Sequence, residues 1–218
     1  MTADIELEQY YALRAREYER IYAKPERQSD LRVLEECIPG LLAGKRVLEI
    51  ACGTGYWTRF IAQRAREVIA TDFNHEPLTV ARTRGDSPKN AEFRIADAYD
   101  LPPSLGKFDG AFAGFWWSHL PQREIPRFLA SLLQRLDPGA RVVIVDNRFV
   151  EGSSTPIAET DEHGDTYQLR RLEDGSVHRI LKNFPSENEL RRVLAPWTSN
   201  LRFEALAYYW LVDFVAAT

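Results

Sequence analysis

Val47-Leu-Glu-Ile-Ala-Cys-Gly-Thr-Gly-Tyr-Trp57 carries an apolar strand into a glycine turn that opens a helix. Arg46 to Ile50 has the β-branched, apolar character of a buried parallel strand, and Tyr56 to Ala65 carries apolar residues at helical spacing. Gly53 and Gly55 therefore fall at a strand-to-helix joint. Glycine suits such a joint because the turn can demand positive φ, and because a missing side chain lets a ligand lie on the backbone. This stretch predicts a nucleotide site.

The loop discriminates between nucleotides. A dinucleotide fingerprint wants a third glycine three residues after the second, and the chain has Thr58 there. Glu49 places a carboxylate at the strand end, where it repels a pyrophosphate and attracts a ligand bearing an ammonium and a sulfonium. Charge favours S-adenosylmethionine over NAD.

Glu49-Ile-Ala-Cys-Gly-Thr-Gly55 resembles the first motif of class I S-adenosylmethionine-dependent methyltransferases, which has Glu or Asp followed by glycines two, four and six residues later. Ala51 stands at the first of these positions. The resemblance covers residues 45 to 147 by motif and the flanks by arrangement. It implies that Glu49, Ala51, Cys52, Gly53 and Gly55 line the cofactor, with S-adenosylhomocysteine as product. A glycine turn in some other α/β protein is the plainer reading of the motif taken alone.

Composition narrows the class. A chain of 218 residues fits one α/β domain with a substantial core, and a net charge of −4 gives no global basic field for nucleic acid or an anionic membrane. The N-terminal residues lack a basic, apolar leader pattern, and no stretch is long enough to span a bilayer, so a cytoplasmic location is expected. Cys37 and Cys52 form neither a disulfide framework nor a metal-ligand spacing. Cys52 reads as a small apolar filler inside the cofactor loop.

Before the glycine loop, residues 4 to 23 carry Ile5, Leu13, Tyr18, Ile21 and Tyr22 at roughly helical spacing, and Pro25 ends the run. In relatives such a helix covers the active site, which implies cofactor contacts from Tyr11, Arg14 and Tyr18 and a substrate contact from Tyr10. An amphipathic helix packed on the body is the competing reading. Asp30 is positioned to cap a second helix, broken at Pro39-Gly40. Residues 1 to 42 thus form a helical cover.

After the loop, Glu67 to Asp72 is a short strand ending in an acid, where nucleotide-binding folds hold a ribose. Asp72 is expected to accept the ribose hydroxyls, beside Phe73 and Asn74, with Asn74 capping the next helix. Ala91 to Asp97 is the third strand. The resemblance implies that Asp97 and the Ala98 amide hold the adenine, with Tyr99 alongside. Phe108 to Phe115 is the fourth strand and brings Gly114 and Phe115 to the methyl-transfer face. Methyl transfer from a sulfonium disperses positive charge, which aromatic faces stabilise without strong ionic trapping. Phe115 or Trp116 is expected in the pocket and Trp117 in the core, since neighbours on extended chain face opposite ways.

His119 is the best-placed candidate for a general base or a substrate contact, although a structural role capping the following helix is the favoured reading. Many methyl transfers need only alignment. Pro121 starts a helix reaching Leu136 and closed by Asp137-Pro138-Gly139, and Arg141 to Asp146 is the fifth strand. Asp146-Asn147 resembles half of the metal site of the catechol branch of the family. Ala113, Gly114 and Phe115 supply no partner carboxylate, so no metal is expected, and Asn147 and Arg148 are assigned to a polar substrate.

Residues 150 to 184 read as a lid loop followed by an inserted hairpin. Asp174-Gly175 is a two-residue turn signal. That turn sets Leu169 against Ile180, Tyr167 against Lys182, and Arg170 against Arg179. Tyr167 becomes a substrate candidate, and the facing arginines call for an acidic partner, a second subunit or an acidic group on the substrate. Ser186 and Glu189 have capping-box spacing, and Phe203 to Ala216 closes the sheet as one strand or two.

The expectation is a single domain over 1–218 with a doubly wound, mostly parallel, seven-stranded Rossmann-like sheet, helices on both faces and a hairpin inserted after the fifth strand. Residues 45–147 form its cofactor core. The predicted activity is methyl transfer from S-adenosylmethionine to an oxygen, nitrogen or carbon of a small molecule, by a monomer or homodimer. A non-catalytic S-adenosylmethionine-binding module and an NAD-dependent dehydrogenase are the rivals.

Overall fold

The computed structural model describes residues 22–172, 175–198 and 200–217. Among these, seven strands form one sheet in the order β3-β2-β1-β4-β5-β10-β9. The strands are β1 (Arg46–Ile50), β2 (Glu67–Asp72), β3 (Ala91–Ile95), β4 (Phe108–Gly114), β5 (Leu136–Asn147), β9 (Arg202–Ala205) and β10 (Tyr209–Val215). The first five run parallel, and β10 inserts antiparallel between β5 and β9. The C-terminal region is therefore two strands.

Two apolar layers sandwich the sheet, because its central strands are buried on both faces. On one side, α1 (Gln28–Leu41), α2 (Tyr56–Ile61) and α3 (His75–Thr83) pack Leu31, Leu34, Ile38, Trp57, Ile61 and Leu78 against Val47, Val68 and Phe112. On the other, α4 (Ile125–Leu133) and α5 (Glu187–Leu194) pack Phe128, Leu129, Leu132, Leu190 and Leu194 against Leu48, Ala111, Ile144 and Trp210. The strand order reverses direction between β1 and β4, which opens a crevice above their C-terminal ends.

Several local expectations need correction. The first described helix runs through Pro39 to Leu41, because a proline in the final turn removes only one ladder hydrogen bond. Asp30 lies inside that helix, and its carboxylate accepts from the Tyr208 amide at 2.7 Å instead of capping. Asn74 occupies the N-cap of α3 without a side-chain cap bond. The helix after Pro121 is shorter than expected: a 3-10 turn at Gln122–Glu124 precedes α4, and residues 136–140 already belong to β5. Ser186 and Glu189 do form the capping box at α5.

The segment after β5 builds its own three-stranded sheet from β6 (Glu159–Thr160), β7 (Thr166–Arg171) and β8 (Val177–Leu181). Its hairpin pairs one residue away from the expected register: Tyr167 faces Leu181, Gln168 faces Ile180, Leu169 faces Arg179 and Arg170 faces His178. Leu172 and Ser176 close the ladder around three residues, with Gly175 at φ 86°, so the loop is longer than the two-residue turn. A one-residue slip sends every side chain to the opposite face. Arg170 and Arg179 are thus on different faces, and Arg179 pairs with Glu159 at 2.9 Å while lying over the Tyr167 ring.

Candidate active site

The glycine turn has the backbone its sequence requires. Ala51, Gly53 and Gly55 take φ of 52°, 56° and 79° in succession around Cys52 and Thr54. A Cβ at Gly55 would stand 3.3 Å from both Ala81 and the Phe93 ring, so glycine there lets α2 close against α3 and β3. Thr58, at the place of the third dinucleotide glycine, is fully buried.

Asp72 pins the turn from the next strand. Its Oδ2 accepts from the Gly53 amide at 2.8 Å and its Oδ1 from the Asn74 amide at 2.9 Å. Burial raises its pKa, and the amide bonds from Asn74, Gly53 and Phe73 oppose that rise. Glu49 lies beneath the turn at 1% exposure, and its Oε2 has no hydrogen-bond partner. Burial pushes the Glu49 carboxyl up to about 8, with Asp72 adding repulsion. A buried carboxyl with one unpaired oxygen beside a glycine cradle fits a cationic ligand group. Cys52 is buried, and burial holds its thiol well above the ordinary value, so it is an inert filler.

The turn after β3 is equally formed. Asp97 Oδ1 accepts from the Tyr99 amide at 2.8 Å, and Ala98 is buried between them. Phe73 follows β2 and Ile95 ends β3, and both are exposed large apolar side chains at 51% and 55%. The sequence reading missed Ile95. Its register partner Asp72 was the available signal.

Gly114 ends β4 in a place no side chain could occupy, since a Cβ would stand 2.8 Å from the Phe112 ring. Phe115 follows at φ 57°, with its ring 5.7 Å from Tyr22, 6.2 Å from Trp57 and 5.4 Å from Tyr209. Tyr22 stacks on Tyr56 at 3.6 Å, and the Tyr56 hydroxyl donates to Glu35. Trp116 is partly buried near Tyr99 and Phe128, with its indole N–H unpartnered. Trp117 is core, meeting Trp210 edge-on at 6.5 Å. Tyr10, Tyr11, Arg14 and Tyr18 lie outside the described residues.

A polar knot, unseen in the sequence, joins the strand ends to the insertion. Asp146 accepts from the Ser118 amide at 2.8 Å, the Ser118 hydroxyl at 2.9 Å, the Asn147 amide at 2.7 Å and Lys182 Nζ at 3.2 Å. Lys182 also donates to Ser118 Oγ. Lys182 is buried, and burial lowers it to about 8 against the pull of Asp146. His119 is buried too, and its Nδ1 lies 2.8 Å from the Leu181 carbonyl, the geometry of a donated bond to β8. Asn183 completes the joint by donating to the Ser118 and Leu120 carbonyls. The partners of Lys182 lie 36 and 64 positions away, beyond any local pattern.

Other substrate candidates scatter. Asn147 Oδ1 accepts from Arg27 at 2.9 Å and faces the segment before α1. Arg148 is exposed and donates to the Leu206 carbonyl, away from Asn147's partner. Tyr167 is buried within the insertion, where its hydroxyl donates to Asp161 at 3.1 Å. Among the described residues, no three His, Cys, Asp or Glu side chains converge as a metal would need, and no helix is long and apolar enough to cross a membrane.

Residues 47–139 match the family model described as a methyltransferase domain. The chain is 29% identical over 156 residues to a demethylmenaquinone methyltransferase of Clavibacter sepedonicus, covering 72% of this chain and 60% of that one. It is 33% identical over 106 residues to a 2-phytyl-1,4-naphtoquinone methyltransferase of Thermosynechococcus vestitus, covering 47% and 46%. The matches thus span about half the length of these curated relatives. Among solved structures, the S-adenosylhomocysteine complex of DhpI superposes with a TM-score of 0.81 at 28% identity, over 99% of this chain and 97% of that one.

Proposed function

The chain carries a methyltransferase domain on the class I S-adenosylmethionine-dependent fold, and we propose that it moves a methyl group from S-adenosylmethionine to a small-molecule acceptor. One observation carries the reading: Glu49, buried with its Oε2 unpaired, lies under the same glycine turn that Asp72 clamps, at the crevice where the strand order reverses. A carboxyl held neutral by burial becomes a counter-ion when an ammonium arrives.

When bound, S-adenosylmethionine supplies a sulfonium-activated methyl. The chain's residues do the rest. Gly53 and Gly55 give the amino-acid tail room on the backbone, and Asp72 retains lone pairs for the ribose hydroxyls. Phe73 and Ile95 sandwich the adenine between Asp97 and Ala98. Gly114 and Phe115 border the methyl. That methyl would pass to an acceptor lone pair, with the carbon–sulfur electron pair left on sulfur and the acceptor's proton lost to solvent. Alignment of acceptor and methyl provides most of the acceleration. We assign His119 to positioning, because its ring nitrogen ties the turn after β4 to β8.

The two relatives are named for demethylmenaquinone and 2-phytyl-1,4-naphtoquinone as their acceptors. In this chain the acceptor side is drawn largely from residues 150–184, outside the matched domain. Calorimetric titration with S-adenosylmethionine and S-adenosylhomocysteine, repeated on Asp72→Ala, tests the proposal. Micromolar binding lost in the variant supports it. Absence of binding by both ligands refutes it.

A further inference from the structure

Four cations from three separate stretches gather where β5 meets the insertion. Lys24 and Arg27 come from the segment before α1, Arg170 from β7 and Lys182 from the end of β8. Register puts Arg170 on the same hairpin face as His178, Ile180 and Lys182. That face turns inward, since Gln168, Ile180 and Lys182 are buried. Gln168 accepts from Arg170 at 2.9 Å and donates to the Thr155 carbonyl, which fixes the guanidinium's direction.

Arg27 is the unusual member. It is 7% exposed, and its guanidinium donates to Asn147 Oδ1 and to Ser153 Oγ while lying 5.3 Å from the Tyr208 ring. Lys24 donates to the Ser153 carbonyl at 2.7 Å. Among the described residues neither cation forms an ion pair with a carboxylate. The nearby acids are engaged elsewhere: Asp146 holds Lys182 and Ser118, Asp30 holds the Tyr208 amide, and exposed Glu26 takes the Ser153 hydroxyl. Lys24 is lowered by burial and by repulsion from Arg27 and Arg170, and Arg170 and Arg27 also push Lys182 down. Geometry agrees: Lys24 and Arg27 both bond to Ser153, and Arg170 reaches Thr155, two residues on, through Gln168.

Keeping positive charge together and half dehydrated is costly, and an anion relieves it. We infer that the acceptor carries a compact oxyanion, a carboxylate or a phosphate-like group, which Lys24, Arg27 and Arg170 bind above the end of β5. The inference rests on the methyl-transfer reading and gives its acceptor a chemical class. It also accounts for the aromatic walls: Tyr208 and Tyr209 flank Arg27, and Phe115 links them to the end of β4. An aromatic or planar body with an acidic handle fits this arrangement, whereas a bare apolar quinone offers Lys24 and Arg27 no anion.

Calorimetry on protein saturated with S-adenosylhomocysteine, titrated with benzoate, inorganic phosphate and benzamide, tests the inference. At least one oxyanion should bind at least about tenfold tighter than benzamide, the scale of one charge-assisted hydrogen bond. Benzoate and phosphate separate the carboxylate from the phosphate-like source. Lys24→Gln, a half-exposed position that leaves folding intact, and Arg27→Gln should each weaken that binding about tenfold. Their affinity for S-adenosylhomocysteine should stay within about twofold, a shift worth less than half a kilocalorie per mole. Oxyanions that bind no better than benzamide, or a Lys24→Gln variant that binds them as wild type does, overturn the inference. If S-adenosylhomocysteine itself fails to bind, the methyl-transfer reading falls, and the same titration on unloaded protein still decides whether the cations form an anion site.

Discussion

Glu49→Gln should make the unliganded protein more stable and its cofactor weaker, and the gain should grow with pH. Glu49 is raised from 4.5 to about 8, chiefly by burial and further by the Asp72 carboxylate. A carboxyl whose folded pKa lies above its unfolded value favours folding fully only below the unfolded value. That contribution is lost as pH climbs towards the folded one. Each unit corresponds to about 1.36 kcal/mol, so Glu49 costs about 2 kcal/mol at pH 6, about 3 at pH 7 and about 4 at pH 8. Glutamine keeps the shape without the ionisation. Urea unfolding of wild type and variant at pH 6, 7 and 8, without ligand, reads the difference directly. The variant's advantage should widen by about 2 kcal/mol between pH 6 and 8. S-adenosylmethionine should close the gap by binding wild type preferentially, with uptake accompanied by proton release. An advantage independent of pH, or no advantage, would refute the claim that Glu49 is stored in its neutral form.

Other outcomes follow from neighbouring features. Ala51 holds a left-handed φ of 52° where the family motif has glycine, so Ala51→Gly should raise stability by about 1 kcal/mol in urea unfolding, and a loss would contradict the strain. Asp146→Asn leaves Lys182 buried without its anion and should cost about 3 to 5 kcal/mol, while adding Lys182→Met should recover much of it. A single variant losing under about 1 kcal/mol would mean that the pair is loosely held. His119→Gln should keep turnover at saturating acceptor between pH 6 and 9 while lowering the unfolding midpoint; a large loss of turnover together with an abolished acidic limb of the rate profile would restore His119 as a base.

The cofactor half was legible because each of its groups is reported locally. Glu49, Asp72 and Asp97 close short apolar runs, and the structure sets all three at the C-terminal ends of neighbouring strands. Gly53 and Gly55 proved to need positive φ, as glycines in a turn announce. The acceptor half was not legible, because it is made by long-range contacts. Lys182 reads as a solvated residue until Asp146 is found beside it, and Arg27 looks like linker next to Pro25. The hairpin failed for a sharper reason. Asp174-Gly175 matches a two-residue turn, yet Gly175 serves a three-residue loop, and one residue of slip exchanged Arg179 for Lys182 on the face of Arg170. Pro39 misled in the opposite direction, since a proline in a last turn does not end a helix.

The insertion leaves the sheet after Asn147 and returns before α5, so it is one uninterrupted stretch of sequence fastened at its far end by Lys182 and Asn183. Whatever this stretch contributes to the proposed acceptor side can therefore be exchanged as a single cassette, whereas Lys24, Arg27 and the tyrosines beside them stay with the recipient. The seam has a fixed thread: a donor segment must bring a lysine and an asparagine at its close, and the recipient must offer the aspartate of β5 and the serine that follows β4. Where either side of that fastening is absent, the graft would hang from one end, and its specificity would not transfer.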